Sequence, residues 1–330
     1  MAFLLDSKNV FGYLTAAGLW AEDQVCEVLE SKPGKNFNLR VKGGDRDLLI
    51  KQESFGMSGK ARGEMLQESW FYRLLETHAE LGPLLAHITQ PLHFDEENAI
   101  LIFPYLANVC DLSNFYYDFQ RGDYENDESH SDKTGEIETD KIETGEISDE
   151  PRDLPPAIAA AMGEAFAQLH SCTFQQQRYR DFWIAQYRAA RQTGNETGNE
   201  AERTESALPK PKLDFAPDFL FGLRRLTPET FAVVPSDALK FFRFYQRYPQ
   251  IGAAIETLNH SFDACCAIHD DPRFANFLLL DAASQAARLP VPARLQMIDW
   301  EKWKWGDPAY DLGKVVANYL KLWLQSLPVS

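Results

Sequence analysis

Between two apolar runs the chain reads CAIHDDPRFANFLLL, residues 266–280. Its polar centre carries two carboxylates (Asp270, Asp271), a guanidinium (Arg273) and an amide (Asn276), with His269 at the head. Carboxylate and amide oxygens are hard donors of the kind Mg²⁺ takes, and a guanidinium recognises phosphate. A site that handles a metal ion and a phosphate needs residues of these types. A further carboxylate, Asp299, stands near the end of a second apolar run, RLQMIDW (294–300).

These residues need elements that bring them together. FLLL (277–280) and RLQMIDW read as the two strands of a hairpin, joined by the long loop DAASQAARLPVPA (281–293). In an antiparallel pair the start of one strand lies beside the end of the other. Asn276 and Asp299, 23 positions apart, therefore come together, and Asp271 lies in the loop that enters the first strand. One end of the hairpin presents a free carboxylate, an amide oxygen and a second carboxylate. That is enough to position a hydroxyl, hold a metal–nucleotide and transfer a phosphoryl group.

The spacing H-x-D-x-x-x-x-N, here His269, Asp271 and Asn276, followed by a strand ending Ile298-Asp299, resembles the catalytic and metal-binding segments of the protein-kinase-like fold. With GDPAYDLG (306–313) and the upstream helix AFAQLHS (165–171), it is similar to the aminoglycoside phosphotransferase and choline kinase branch. The resemblance covers most of the chain outside two insertions. It implies that Asp271 accepts or orients the proton of a substrate hydroxyl and that Asn276 and Asp299 bind Mg²⁺. It also implies that His269 buttresses the loop and that Asp311 anchors it from the following helix. Arg273 would stabilise charge on the transferred phosphoryl. Asp270 stands where the branch often has glycine, a departure that bears on loop geometry, since Asp reaches positive φ less easily than Gly.

The N-terminal half must then supply a nucleotide clamp. VCEVLES, FNLRVKG and DLLIKQE read as strands, with turns at 32–36 and 42–47. The run 61–81, ARGEMLQESWFYRLLETHAEL, reads as a helix with a 3.6-residue apolar period. The resemblance places Lys51 on the α/β-phosphates, with Glu68 as its ion-pair partner and Glu64 one turn earlier as the alternative. ESKPGKNFN (30–38) stands where a phosphate-covering loop belongs. It is not a GxGxxG run; Ser31, Gly34 and Asn36 are its candidate contacts. LIFPYL (101–106) would be the hinge that reads adenine. The expected fold is α+β and bilobal, with an N-lobe over 1–106 and a mostly helical C-lobe over 107–330.

Composition narrows the setting. The chain has 330 residues, 45% hydrophobic, enough for one large core or two smaller ones. No apolar run is long enough to span a bilayer, and the start does not read as a signal peptide. Five cysteines without a CxxC pair suit a reducing, cytoplasmic setting, with Cys265 and Cys266 as small core residues. The net charge of −16 argues against a nucleic-acid partner. Residues 121–153 hold thirteen acids and four bases and so carry −9 of it. That segment, with its degenerate repeat, and 191–212 both read as insertions without a packed core. Pro155-Pro156 opens a helix, and Asp307 with Pro308 opens another. His170 reads as a structural histidine. Trp300, Trp303 and Trp305 read as packing rather than ligand stacking.

The class-level expectation is an ATP- or GTP-dependent phosphotransferase acting on a hydroxyl, with Mg²⁺. Trp300-Glu301 after Asp299, then GDPAYDLG and the aromatic run YLKLWLQS (319–326), are most similar to the kinase component of class V lanthipeptide pathways. That implies a Ser or Thr of a precursor peptide as acceptor. A small-molecule hydroxyl, of aminoglycoside or choline type, is the alternative, and a pseudokinase binding module the second. Few residues follow Asp299 compared with this branch. Val315, Leu320 and Trp323 are therefore expected on a partly uncovered apolar face that drives self-association.

Overall fold

Strict alternation along DLLIKQ gives one strand two different neighbours, and the site grows from that. In the computed structural model, which describes residues 3–21, 27–32, 36–43, 46–54, 63–121, 155–196, 239–240, 243, 246–280 and 293–327, the first half builds a five-stranded antiparallel sheet. Its strands are β1 (Glu27–Lys32), β2 (Phe37–Gly43), β3 (Arg46–Gln52), β4 (His93–Asp95) and β5 (Ile100–Pro104), in the order β1-β2-β3-β5-β4. One face is a small core: Leu48 and Ile50 of β3 join Leu39, Val41, Ile100 and Ile102, closed by Val10 and Leu14 of α1 (Val10–Ala16). Leu49 and Lys51 take the opposite face because side chains alternate across a strand. That face meets α2 (Glu64–Thr77).

Helix α2 begins after Gly63, which sits at φ +89, a left-handed conformation that costs glycine little. It buries Met65, Glu68, Trp70, Phe71, Tyr72, Leu74 and Leu75, because it is packed between the sheet and the second half of the chain. The helix expected to reach residue 81 stops at Thr77 and gives way to a 3₁₀ segment, Ala79–Ala86, that contains Pro83. The helix is capped by His78, whose φ −124 and ψ 89 are not helical.

The second half is mostly helical. Helix α3 spans Leu112–Arg121, α4 Pro156–Thr173, α5 Gln177–Glu196, α6 Pro249–Ser261 and α7 Pro308–Ser326. Pro155-Pro156 and Asp307-Pro308 open α4 and α7 as expected, and the Asp307 carboxylate accepts the Ala309 N–H at 2.9 Å. Three short strands, β6 (Val109–Asp111), β8 (Phe277–Leu280) and β9 (Leu295–Met297), form one antiparallel sheet. β7 (Cys266–Ile268) pairs with β10 (Lys304–Gly306). A Cβ on Gly306 would collide with the Ile268 side chain, so this pair needs glycine there. The expected α+β architecture, an antiparallel N-terminal sheet with its helix and a mostly helical remainder holding a hairpin, is the one adopted.

Two details differ from the sequence reading. Helix α5 continues through Glu196, so 191–196 is helical rather than part of an insertion. An established helix extends through polar residues at little cost, since nucleation is already complete. Residues 122–153, 197–212 and the hairpin loop 281–292 lie outside the described residues. On α7, Leu320 and Trp323 are exposed, but Val315 packs partly against the main core and Val316 is the exposed valine. One step along a helix turns a side chain by about 100°, enough to exchange the two. No helix among the described residues is long and apolar enough to cross a membrane.

Candidate active site

The hairpin brings the sequence's chemical residues to one end, as its register requires. Phe277 pairs with Met297, and the Ile298 N–H donates to the Asn276 carbonyl at 3.0 Å. Asn276 and Asp299 therefore flank the same end of β8 and β9. Asp299 sits at φ +67, which turns its carboxylate back toward the sheet of the first half. There it meets Lys51.

Lys51 lies between two carboxylates. Its Nζ donates to Glu68 Oε2 at 2.8 Å and also to Asp299 Oδ1. The second Glu68 oxygen accepts the Tyr72 hydroxyl at 3.2 Å. Burial disfavours the Lys51 ammonium, but Glu68 and Asp299 outweigh it and raise its pKa above the ordinary lysine value. Burial pushes the Glu68 carboxyl up, with Lys51 opposing and Asp299 and Glu301 adding to the rise. Burial acts on Asp299 too, but Lys51 and then His269 and Arg273 hold its carboxyl below the usual value. Glu68, not Glu64, is the partner of Lys51.

The catalytic-type loop is fixed from behind. The Asp311 carboxylate, fully buried, accepts the backbone N–H groups of His269 and Asp270 at 2.9 Å each and faces His170 Nε2 at 3.1 Å. The expected anchor and the expected structural histidine thus meet each other. His269 is also fully buried: its Nε2 lies 2.9 Å from the Ile298 carbonyl, and its Nδ1 accepts the Asp271 N–H at 3.3 Å. Those two bonds assign the proton to Nε2. Asp270 does adopt positive φ, +62. Its carboxylate meets Lys304 at 2.7 Å and Lys314 at 3.2 Å, and Lys314 also donates to its carbonyl.

Asp271 is covered yet well contacted. Its Oδ2 meets Lys302 Nζ at 2.7 Å and Arg273 Nη2 at 3.0 Å. Arg273 also approaches Asp299 Oδ2, at 4.0 Å. The Asn276 amide N–H donates to the Asp271 carbonyl at 2.8 Å, so the amide oxygen is the end left for other work. Asn276 and Asp299 are the residues that could hold a metal ion. They supply one amide and one carboxylate oxygen, a set that suits Mg²⁺ when phosphate and water complete the shell. Among the described residues no group of three or more His, Cys, Asp or Glu is arranged to hold an ion.

The candidate phosphate loop is only partly placed. Gly34 lies outside the described residues, and Ser31 is in β1, paired with Leu39. Asn36 is buried, and its Nδ2 donates to Glu301 Oε2 at 3.2 Å while its Oδ1 lacks a partner. Sequence reasoning did not single out Lys302, Lys304 and Lys314. Lys302 was detectable in principle: between buried Trp300, Glu301 and Trp303 it is the residue whose side chain stays open. The three tryptophans are packing residues. Trp300 stacks on Phe71 at 3.8 Å, Trp303 Nε1 donates to the Gln67 carbonyl at 2.6 Å, and Trp305 Nε1 to the Ala264 carbonyl at 2.8 Å.

No family model matches the chain, and no curated protein matches it. Among solved structures it is similar to a choline/ethanolamine kinase family protein from Mesorhizobium loti, at 17% identity over 94% of this chain and 70% of that one, TM-score 0.42. It is also similar to a spectinomycin phosphotransferase in complex with ADP and spectinomycin, at 12% identity over 99% and 82%, TM-score 0.44. A choline kinase from Streptococcus pneumoniae gives 15% identity over 98% and 82%, TM-score 0.36. All three are named as kinases or phosphotransferases.

Proposed function

We propose that the chain is a Mg²⁺- and ATP-dependent phosphotransferase that moves the γ-phosphoryl group to a hydroxyl acceptor. One observation carries this reading. Lys51, Glu68 and Asp299, from three elements of two lobes, meet in one ion-paired cluster beside Asn276 and Asp271. A buried lysine held on a glutamate and a metal-type aspartate is costly to build. It has a use where phosphate and a divalent ion arrive together.

In this reading the acceptor oxygen attacks the γ-phosphorus. The bond to the β–γ bridging oxygen breaks, ADP leaves, and the hydroxyl proton passes to Asp271. Lys51 holds the α/β-phosphates, with Glu68 keeping its ammonium in place. Arg273 stabilises charge on the phosphoryl in flight. Asn276 and Asp299 would hold the Mg²⁺, which would supply charge neutralisation on the phosphates. His269 and Asp311 touch no substrate; they fix the loop that carries Asp271. Ser31, Gly34 and Asn36 remain the candidate contacts over the phosphates. Within this class we assign a Ser or Thr of a precursor peptide as acceptor, on the resemblance of residues 299–326 to class V lanthipeptide kinases.

The test is phosphate transfer from γ-labelled ATP with Mg²⁺ into an extract of the source cells, with peptides separated from small molecules. Transfer is expected in the peptide fraction and to fall about a thousandfold in Asp271→Asn, the scale of a lost general base. Label in the small-molecule fraction would move the acceptor to a metabolite or antibiotic. Bound nucleotide without any Asp271-dependent label would make the chain a pseudokinase.

A further inference from the structure

The cations around the catalytic-type loop are not equally committed. Lys51 serves Glu68 and Asp299, and Lys304 and Lys314 serve Asp270. Lys302 and Arg273 share a single carboxylate oxygen, Asp271 Oδ2, at 2.7 and 3.0 Å. Arg273 also approaches Asp299 Oδ2, at 4.0 Å, so Lys302 is the one of the two whose ion pair is with Asp271 alone. The side chains of Lys302 and Arg273 are 45% and 59% exposed, against 9% for Asp271. The covered group is the carboxylate, and the open groups are the cations.

Lys302 is also the better placed of the two to be precise. It ends the 3₁₀ turn Trp300–Lys302 that begins at Asp299. On either side of it Trp300 and Trp303 are fully buried and tied to α2. Its backbone is therefore fixed while its ammonium reaches Asp271 and stays partly open. An ammonium has three N–H donors, and Asp271 uses one. The remaining donors can take an anion without breaking the contact to Asp271.

We propose that Lys302 is a catalytic cation for the γ-phosphoryl group, bridging a γ-phosphoryl oxygen and Asp271 Oδ2. This rests on the phosphotransferase reading and adds a residue that the motif resemblance does not assign. The bridge places the proton-accepting carboxylate beside the group to be transferred. It also makes Lys302 sensitive to whether the third phosphate is present.

That sensitivity is the test, and it needs no acceptor. Equilibrium binding of a non-hydrolysable ATP analogue and of ADP, each with Mg²⁺, is measured on the full chain, with Lys302→Met and Lys302→Arg beside the wild type. Lys302→Met is expected to weaken the ATP analogue about tenfold, ~1.4 kcal/mol, and to change ADP less than about twofold, with Lys302→Arg recovering most of the loss. Equal weakening of both nucleotides, or no weakening of either, would overturn the assignment. Lys302→Gln provides a second charge-free variant if Lys302→Met does not fold. A wild-type chain that binds neither nucleotide overturns the phosphotransferase reading itself, and Lys302 falls with it. Binding of both nucleotides without discrimination by Lys302 overturns only the role of Lys302.

Discussion

Lys51 is a single cation set between two carboxylates, one fully buried and one 21% exposed. Removing it leaves Glu68 buried without its counter-charge. Loss of one partner from a buried pair costs about 3 kcal/mol or more, and its pH dependence has a definite sign. The folded-state pKa of Glu68 is already raised above its ordinary 4.5, and losing Lys51 raises it further. A raised value means the protonated form belongs to the folded state. The associated stability is fully present below the unfolded value and is lost as pH rises through the folded one. Lys51→Met is therefore expected to be more destabilising at pH 8 than at pH 5 in urea unfolding, and Lys51→Met with Glu68→Gln to flatten that difference. At this scale the sequence was legible where placement follows spacing, as for Asn276 and Asp299 at one end of the hairpin with Asp271 in the loop before it. It was silent on Lys302, whose partner lies 31 positions away and is chosen by the turn after Asp299.

The catalytic-type loop and α7 behave as one element. Asp311 holds two loop N–H groups, Lys314 holds Asp270, and Asn318 Nδ2 donates to the Pro272 carbonyl at 3.0 Å. The aspartate at a position often glycine in the resembling branch now has a physical account. Its left-handed φ of +62 costs a residue with a Cβ roughly 1–2 kcal/mol, and two lysines offset that strain. Asp270→Gly removes the ion pairs and also the strain. Asp270→Ala removes the ion pairs and keeps the strain. Alanine is thus expected to lower the melting temperature by several degrees more than glycine does, read by thermal denaturation. Equal shifts would mean that backbone strain plays no part. The sequence pointed to the irregular backbone here but not to its remedy, because Lys304 and Lys314 are distant in sequence and unremarkable in type.

Among the described residues two cores and a smaller cluster of Cys265, Cys266 and Ile268 are held at one joint. The small core lies outside the N-terminal sheet, and the main core runs from α2 through α4, α5 and the hairpin. The strands β2 and β3 and the helices α2 and α4 were legible in the sequence, whereas α1, which closes the small core, was not read. The joint was not readable, since Gln67 and Trp303 look like ordinary surface and core residues until they exchange hydrogen bonds, Nε2 to carbonyl at 2.8 Å and Nε1 to carbonyl at 2.6 Å. The acidic run, 122–153, lies outside the described residues, and its composition carries few apolar residues for a core. Deleting 124–150 is expected to leave the melting temperature within a few degrees and phosphate transfer largely intact. Loss of folding on that deletion would show that the segment belongs to the structure.

The joint also sets an order of events while the chain is being made. Lys51 and Asp299 are 248 positions apart, a lag on the order of tens of seconds at ribosomal speed. Through that interval the sheet and α2 can pair Lys51 with Glu68, but Phe71 has no Trp300 to stack on and Gln67 no Trp303 to clasp. A chain stopped anywhere before Asp299 holds the lysine and the glutamate without the second carboxylate of that cluster. Incomplete translation products therefore leave the Phe71 ring without its stacking partner, the kind of apolar surface that chaperones and proteases recognise.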